Sequence, residues 1–266
     1  MFGVVPKQIW QKLQPADENN LCTWAMRCLL IVDGGRRILI DTGIGEKQDQ
    51  KFLSHYHLHG DFSLQSSLHK AGFEEGDITD VVLTHLHFDH CGGAIKKHGD
   101  KLVPAFSNAT YWSNEQHWYW ATHPNDREKA SFLSENILPI EASGKLKMIP
   151  VKDGESTLFT KNVSIRTANG HTSAMMLPQI NYGGKTIVYM ADLLPSVAHI
   201  PVPYVMAYDM FPLTSLEEKK SFLSEALEKD YVLFFEHDPL YECCTLQKTE
   251  KGIRQDKLFA LADTGN

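Results

Sequence analysis

The stretch Thr84-His85-Leu86-His87-Phe88-Asp89-His90 decides how this chain is interpreted. It follows a short apolar run, so that residues 81–84 are predicted to form a buried strand and the polar residues come where that strand ends. Imidazole and carboxylate groups are the ligands that zinc and similar metals prefer. Three histidines and an aspartate within six residues therefore predict a metal site.

The spacing within this stretch also predicts its local shape. In an extended chain alternate side chains point to the same side, so His85, His87 and Asp89 are expected to share one side. His90 joins them only if the chain bends. The pair Gly92-Gly93 follows closely and makes a bend easy, since glycine has no Cβ.

Composition and charge exclude some classes of function. The chain has 266 residues, of which 42% are hydrophobic and 22% charged, with a formal net charge of -7. Binding to a nucleic-acid backbone needs clustered lysine and arginine, so nucleic acid is not expected as a partner. No apolar run is long enough to suggest a membrane span, so no membrane partner is expected either. A small-molecule substrate is the expected partner.

The cysteines and the start of the sequence bear on the compartment. The cysteine count is five, which is odd, and no CxxC pair occurs, so neither a disulfide framework nor a cysteine-rich zinc knuckle is expected. The first residues show no basic segment followed by an apolar core, so no signal peptide is predicted. Together these features predict reduced thiols and a cytoplasmic protein.

The chain is predicted to mix strands and helices. Residues 28–32 and 37–40 are predicted strands joined by a turn at 33–35, and residues 113–137 are expected to be helical. A helix over 215–229 is predicted from the capping box Ser215-x-x-Glu218 and an apolar face. Hairpins come first and strand–helix units follow, which favours an α/β or α+β layered fold. No linker or repeat divides the chain, so one domain over 1–266 is expected.

The motif HxHxDH after an apolar strand resembles that of the metallo-β-lactamase superfamily. The later parts of that family's pattern occur in the expected order, each after an apolar run. They are Gly170-His171-Thr172, Asp192, and His237, and an early Asp-x-Gly turn is matched by Asp41-Thr42-Gly43. The resemblance covers most of the chain, and the joint match is far more specific than any single motif.

This resemblance implies the fold, the cofactors and the ligands. The fold implied is a single metallo-β-lactamase-like domain, a four-layer αββα sandwich. Two divalent ions are implied, zinc by preference with iron or manganese as alternatives. By the family's assignment His85, His87 and His171 hold the first ion, Asp89, His90 and His237 hold the second, and Asp192 bridges both. Asp41 is expected to orient ligands and not to bind metal.

The resemblance further implies a hydrolase. A hydroxide bridging the two ions would attack an ester, a lactone or a phosphotriester of a small molecule. Asp89 and Asp192 are the candidate catalytic carboxylates, with Asp192 accepting or relaying a proton. The alternatives are a glyoxalase II-like thioesterase, a non-haem iron oxidoreductase on the same scaffold, and a non-catalytic metal-binding relative. Redox di-iron relatives carry glutamate where this chain has His87, which favours hydrolysis.

The pattern is closest to the lactonases and the methyl parathion hydrolase-like branch, and a homodimer is expected by the same resemblance. Acyl-homoserine lactonases place a tyrosine three residues after the bridging aspartate, where this chain has Pro195, which argues against that specificity. Tyr204 and Tyr208 are alternative sources of a hydroxyl. His55, His57 and His59 alternate like ligands but are interpreted as an exposed loop, and residues 111–120 as an aromatic wall or ordinary packing.

Overall fold

A computed structural model describes residues 1–264. Within that range the helices are α1 (Lys7–Trp10), α2 (Gln50–Ser54), α3 (Leu64–Lys70), α4 (Phe88–Cys91), α5 (Glu115–Thr122), α6 (Ser134–Ala142) and α7 (Pro212–Glu228). The strands are β1 (Leu29–Asp33), β2 (Arg36–Ile40), β3 (Asp80–Val82), β4 (Ile95–His98), β5 (Lys101–Pro104), β6 (Thr110–Ser113), β7 (Leu146–Met148), β8 (Thr157–Leu158), β9 (Val163–Ala168), β10 (Met175–Tyr182), β11 (Lys185–Tyr189), β12 (Val232–Phe234), β13 (Cys243–Thr249) and β14 (Gly252–Phe259). The predicted mixed α/β class is confirmed.

The chain forms two compact units. One is the continuous segment Cys28–Pro150, here called the continuous unit. The other, the split unit, combines Met1–Arg27 with the chain from Val151 onward. Each unit contains one of the larger sheets. The prediction of a single domain over residues 1–266 stays a prediction.

The continuous unit is built on a five-stranded sheet of order β1-β2-β3-β6-β7. The first two strands form the predicted hairpin, with Leu29 opposite Ile40, and the strands from β2 to β7 run parallel. Apolar side chains such as Leu39, Val81 and Leu83 are completely or almost completely buried beneath it. Because parallel strands end at the same edge, the residues that follow β2, β3 and β6 are brought to one place.

The split unit is built on a seven-stranded sheet of order β14-β13-β12-β11-β10-β9-β8. Strands β11 and β12 are parallel, and β10 is antiparallel to both β9 and β11. Strands β9, β11 and β12 therefore all run in the same direction and end at the same edge of this sheet. The predicted ligands His171, Asp192 and His237 each follow one of these three ends.

Helix α7 begins one turn earlier than predicted. Its first residue is Pro212, which suits the first helical position because its missing N–H needs no partner there. The predicted capping box is therefore wrong: Ser215 lies inside the helix, and its start has no side-chain cap. The Glu218 carboxylate instead accepts hydrogen bonds from the backbone N–H groups of Asn169 (2.6 Å) and Gly170 (2.9 Å). Glu218 thus anchors the turn before His171.

The continuous helix predicted over residues 113–137 is also wrong. Tyr111 and Trp112 belong to strand β6, and α5 ends at Thr122, before a turn-rich segment leads to α6. Pro124 disfavours the helical conformation of the residue before it, and His123 leaves the helix with φ −129° and ψ 56°. The segment between the two helices contains Glu128, which contacts the predicted ligand His87.

Candidate metal site

The first group of predicted ligands, here the contiguous set, consists of His85, His87, Asp89 and His90. The chain is extended up to His87, and a single helical turn, α4, then begins. The backbone N–H of His90 donates to the His87 carbonyl at 3.0 Å, which closes this turn. The predicted bend therefore exists, but the helical turn makes it. The turn brings His90 to the same side as His85, with ring centroids 3.9 Å apart.

The glycine pair after this turn serves close packing of backbones. A Cβ on Gly92 would lie 2.0 Å from the carbonyl oxygen of Ile44, and one on Gly93 would lie 2.2 Å from that of Thr42. The backbone N–H of Thr42 also donates to the His90 carbonyl at 2.8 Å. The turn that carries His90 is therefore fixed against the loop after β2.

The four side chains of the contiguous set lie close together. The rings of His85 and His87 are 4.6 Å apart between centroids, and the His90 Nε2 lies 3.8 Å from an Asp89 carboxylate oxygen. His85, His87 and His90 are buried, whereas Asp89 is partly exposed. Pairs of ligand atoms in this set lie within 4.8 Å of each other, which suits binding to a shared ion.

Asp41 contacts the contiguous set through Thr84 and His90. It is completely buried and accepts hydrogen bonds from the Thr84 backbone N–H (2.7 Å) and the Thr84 hydroxyl (2.6 Å). Its other contact is with Nδ1 of His90, at 3.1 Å, which leaves Nε2 of that ring for a metal. The aspartate has φ +55°, a left-handed conformation that asparagine and aspartate tolerate better than most residues. This position matches the ligand-orienting role expected of Asp41.

The other two histidines of the contiguous set also have fixed partners. The hydroxyl of Thr84 lies 3.1 Å from Nδ1 of His85. Nε2 of His87 lies 2.9 Å from a carboxylate oxygen of Glu128, a residue only 1% exposed. Such contacts fix which ring nitrogen carries the proton and which is left to bind a metal.

The second group of predicted ligands, the dispersed set, consists of His171, Asp192 and His237. The structure brings these three together although they lie far apart along the chain. One carboxylate oxygen of Asp192 lies 3.1 Å from Nε2 of His171, and the other lies 3.0 Å from Nε2 of His237. Asp192 therefore presents each of its two oxygens to a different imidazole. All three side chains are buried.

The histidines of the dispersed set are held through their Nδ1 atoms. Nδ1 of His171 lies 3.0 Å from the Asp209 carboxylate, and Nδ1 of His237 lies 2.8 Å from the backbone carbonyl of Ala25. Gly170 packs so tightly that a Cβ there would lie 2.3 Å from the backbone nitrogen of Ser215. Both rings are thereby fixed with Nε2 directed at Asp192.

Sequence reasoning missed Glu128 and Asp209. They lie 41 and 38 residues from the histidines they contact, and neither belongs to a recognisable motif. An acidic residue in a loop carries no signal of its own, because most such residues are solvated. Only the tertiary structure identifies these two as partners of metal ligands.

The remaining sequence candidates have ordinary roles. Residues 55–61 form an exposed loop as interpreted, while the idea that it covers the site stays a prediction. His117 accepts a hydrogen bond from the Leu86 backbone N–H at 2.8 Å, and Trp118 belongs to the apolar core. Tyr204 contacts the ring of Phe2 edge-on, and Tyr208 is 58% exposed.

The thiols show no feature of a nucleophile. None of the five cysteines forms a disulfide in the structure. Burial raises the pKa of Cys91 to about 12, and its Sγ lies 3.2 Å from the Leu86 carbonyl oxygen, to which it donates. Cys91 is therefore a packing residue beside His90, as interpreted from the sequence. Among the residues that the structure describes, no helix combines the length and apolar character needed to cross a membrane.

Comparison with known proteins identifies the family. The family model for the metallo-β-lactamase superfamily matches residues 27–237, most of the chain. The structure of a probable metal-dependent hydrolase from Staphylococcus aureus superposes with a TM-score of 0.87 at 27% identity, covering 97% of this chain and 90% of that one. The chain belongs to the metallo-β-lactamase superfamily, and the predicted membership, the metallo-β-lactamase fold and an enzyme of this class are confirmed.

Two further solved structures share the fold. AidC, a dizinc quorum-quenching lactonase in complex with the product N-hexanoyl-L-homoserine, has a TM-score of 0.72 at 24% identity, covering 89% of this chain and 81% of that one. The hydrolase AbOPH has a TM-score of 0.76 at 20% identity, covering 96% and 88%. At these identities the likeness concerns the fold.

The donor chemistry of both sets fits a divalent metal. The donors are imidazoles and carboxylates, which suit zinc and related ions. In four of the histidines, one ring nitrogen contacts a residue that is not a predicted ligand, and the other nitrogen is left to bind a metal. These are His87, His90, His171 and His237. This is the arrangement by which outer partners orient metal-bound histidines.

Proposed function

We propose that this protein is a dinuclear metal-dependent hydrolase of small molecules. His85, His87 and His171 would hold one ion, and Asp89, His90 and His237 the other. Asp192 would bridge the two ions. The proposal joins the contiguous and dispersed sets according to the pattern of the superfamily to which the chain belongs.

The observation that carries the proposal is the position of the Asp192 carboxylate. A carboxylate can bridge two ions with one oxygen on each, and its two oxygens then lie beside ligands of different ions. Within the split unit, Asp192 directs one oxygen toward Nε2 of His171 and the other toward Nε2 of His237. In the proposed assignment these two histidines serve different ions.

The chemistry follows from this geometry. When bound, two divalent ions supply Lewis acidity and make water a nucleophile near neutral pH. Asp192 would accept or relay the proton of that water, since in the proposed assignment it is the carboxylate next to both ions. Asp89, the second candidate catalytic carboxylate, is partly exposed and so accessible to a substrate.

The proposed substrates are esters, lactones and phosphotriesters. AidC, a quorum-quenching lactonase whose fold this chain shares, was solved with the product N-hexanoyl-L-homoserine. The retained His87 favours hydrolysis over the iron redox alternative, and a glyoxalase II-like thioesterase is the alternative within hydrolysis. Zinc is the proposed ion because the donor set suits it. A cytoplasmic location is proposed from the odd cysteine count of the sequence, and a homodimer stays a prediction.

The test is a hydrolysis panel on protein of known metal content. The protein is stripped with a chelator, reloaded with zinc and assayed with lactones, aryl esters, thioesters and phosphotriesters. We expect activity on at least one class that is lost on stripping and regained on reloading. The exposed Asp256→Asn variant is the matched control and should behave like the wild type. Zinc-loaded protein that hydrolyses none of these substrates would contradict the proposal, as would iron-dependent oxygen consumption.

A further inference from the structure

The segment from Asn125 to Phe132, here called the brace, lies against the ligand His87 in three ways. The Glu128 carboxylate contacts Nε2 of the ring at 2.9 Å. The Phe132 ring lies 4.8 Å from the His87 ring between centroids. The Ser131 carbonyl accepts from the backbone N–H of Phe88, the next residue, at 3.0 Å. The brace therefore contacts the Nε2 atom and the ring of His87 and fixes the backbone of the next residue.

The surroundings of Glu128 define what its carboxylate can do. Oxygen Oε2 accepts hydrogen bonds from Nε1 of Trp120 (2.6 Å) and from Nδ2 of Asn125 (3.3 Å). Both are obligatory donors, and an ionised carboxylate only accepts. Oxygen Oε1, facing His87, is then an acceptor as well. An ionised Glu128 would therefore accept a proton from Nε2 of His87, and Nδ1 would then be the nitrogen left for a metal.

We propose that Glu128 is a positioning residue that fixes His87 with its proton on Nε2 and thereby commits Nδ1 to the metal. The proposal rests on the proposed function, since His87 is there a ligand of the first ion. Glu128 acts through His87 and touches neither substrate nor ion. Trp120 is part of the same device, because its indole N–H orients the carboxylate.

Substitution by glutamine tests this idea sharply. A carboxamide has one acceptor oxygen and one donor nitrogen, whereas this position requires acceptors on both sides. In Glu128→Gln the oxygen can serve either His87 or Trp120, and the NH₂ group then faces a donor on the other side. If the oxygen turns to the shorter bond with Trp120, the amide donates to Nε2 of His87 and moves the ring proton to Nδ1. That form of His87 cannot bind through Nδ1.

The expected result is a weaker first site. Zinc affinity is measured by competition with a chelator, and long-range ¹H–¹⁵N spectra of the zinc-loaded protein report which His87 nitrogen carries the proton. We expect Glu128→Gln to lose affinity by about 10- to 100-fold and to shift or broaden the His87 signals. The exposed residue Glu141, changed to Gln, is the matched control and should retain wild-type affinity and spectra.

A second variant separates this role from a general effect on folding. Trp120→Phe removes the closer of the two donors to Oε2 and keeps an aromatic ring. In the Glu128→Gln/Trp120→Phe double variant only the longer contact with Asn125 still competes, so the amide oxygen can return to His87. We expect the double variant to regain most of the lost zinc affinity and the wild-type proton position. A purely structural role for Glu128 predicts instead that the two substitutions together are at least as damaging as Glu128→Gln alone.

The outcomes distinguish this proposal from the proposed function. If the wild-type protein binds no zinc, the proposed function fails. If the wild type binds zinc and Glu128→Gln binds it equally well with an unchanged His87 spectrum, the role of Glu128 is overturned. Failure of the double variant to recover, with Trp120→Phe alone binding normally, overturns it too.

Discussion

The contiguous set and the dispersed set are both clusters of close ligand side chains, but they are built from different parts of the backbone. The contiguous set comes from one strand end and one helical turn, so its spacing is fixed by local backbone geometry. The dispersed set comes from three strand ends of one sheet and depends on the register of that sheet. The contiguous set is therefore tied to a local structure, whereas the dispersed set requires the split unit to be folded.

The groups that hydrogen-bond to the ligand histidines also differ between the two sets. Two buried carboxylates, Asp41 and Glu128, support histidines of the contiguous set. In the dispersed set one carboxylate, Asp209, supports His171, while His237 is held by the backbone carbonyl of Ala25. The contiguous set thus depends more on side chains, and the dispersed set more on the backbone.

The largest expected effect comes from removing one ligand of the second ion from each set. The two variants should differ only in their stability without metal. His90→Ala and His237→Ala should both lower the zinc content from about two ions to about one and reduce turnover by at least about a thousandfold, because a site for which two ions are proposed would lose one. His90→Ala should also destabilise the metal-free protein by about 1–3 kcal/mol, since it removes a partner of the buried Asp41. Metal analysis and chemical denaturation measure these effects. Retention of both ions in either variant would contradict the ligand assignment.

The orienting carboxylates should show a smaller difference. Asp41→Asn and Asp209→Asn should each weaken zinc binding by about 10- to 100-fold, because each disturbs the partner of a ligand. Asp41 also holds Thr84 through two short hydrogen bonds, so only Asp41→Asn should markedly lower the free energy of unfolding of the metal-free protein. Denaturation curves without metal provide the check. Equal losses of stability in the two variants would contradict this, because Asp41 and Asp209 would then stabilise their sets to the same extent.

Lys219, in the split unit, allows a prediction about how stability depends on pH. Its buried ammonium donates to the carbonyl oxygens of Pro201, Val202 and Tyr204, in the loop between Asp192 and Asp209. Burial lowers the pKa of Lys219 from 10.5 to about 7. Between those pH values the unfolded chain binds more protons at this side chain than the folded protein does, so raising the pH stabilises the fold.

The measurement compares wild type with Lys219→Met. The stability of the wild type relative to the variant should rise as the pH increases from about 7 to about 10, and the difference should be flat below that range. The number of zinc ions bound should be the same in both proteins. A stability difference that does not change with pH would refute the lowered pKa.

The smallest effect is expected at the exposed histidines. His59→Ala should leave zinc content and stability unchanged, because the nitrogen Nδ1 of His59 contacts only a carbonyl of its own loop, that of His57, and the ring lies in an exposed segment. Loss of an ion in this variant would show that the loop contributes a ligand. The result would also decide whether residues 55–59 matter to either set.

The contiguous set and its strand could be predicted because their information is local. An apolar run followed by four ligands within six residues needs no knowledge of the fold. The dispersed set was predicted only through resemblance to the family, since no local rule links residues so far apart. The hairpin of β1 and β2 was predicted from its turn, again a local feature.

The features that sequence reasoning missed depend on tertiary contacts. Helix α7 starts early, at Pro212, and Glu218 bonds to the turn at Gly170 and not to its own helix start. Strand β10 was overlooked; it contains Pro178, which removes a ladder donor and argues against a strand in the sequence. Glu128 and Asp209 are acidic residues in loops until the fold places them beside histidines.

The most direct test of the central claim is a zinc titration of the wild type and of Asp192→Asn. Asp192 is the residue proposed to serve both ions, so its change affects both, unlike a change at a histidine. The account predicts about two ions bound by the wild type, and loss or severe weakening of both in Asp192→Asn together with loss of turnover. A variant that still binds two ions tightly, or that loses only one and keeps wild-type turnover, would contradict the bridging role.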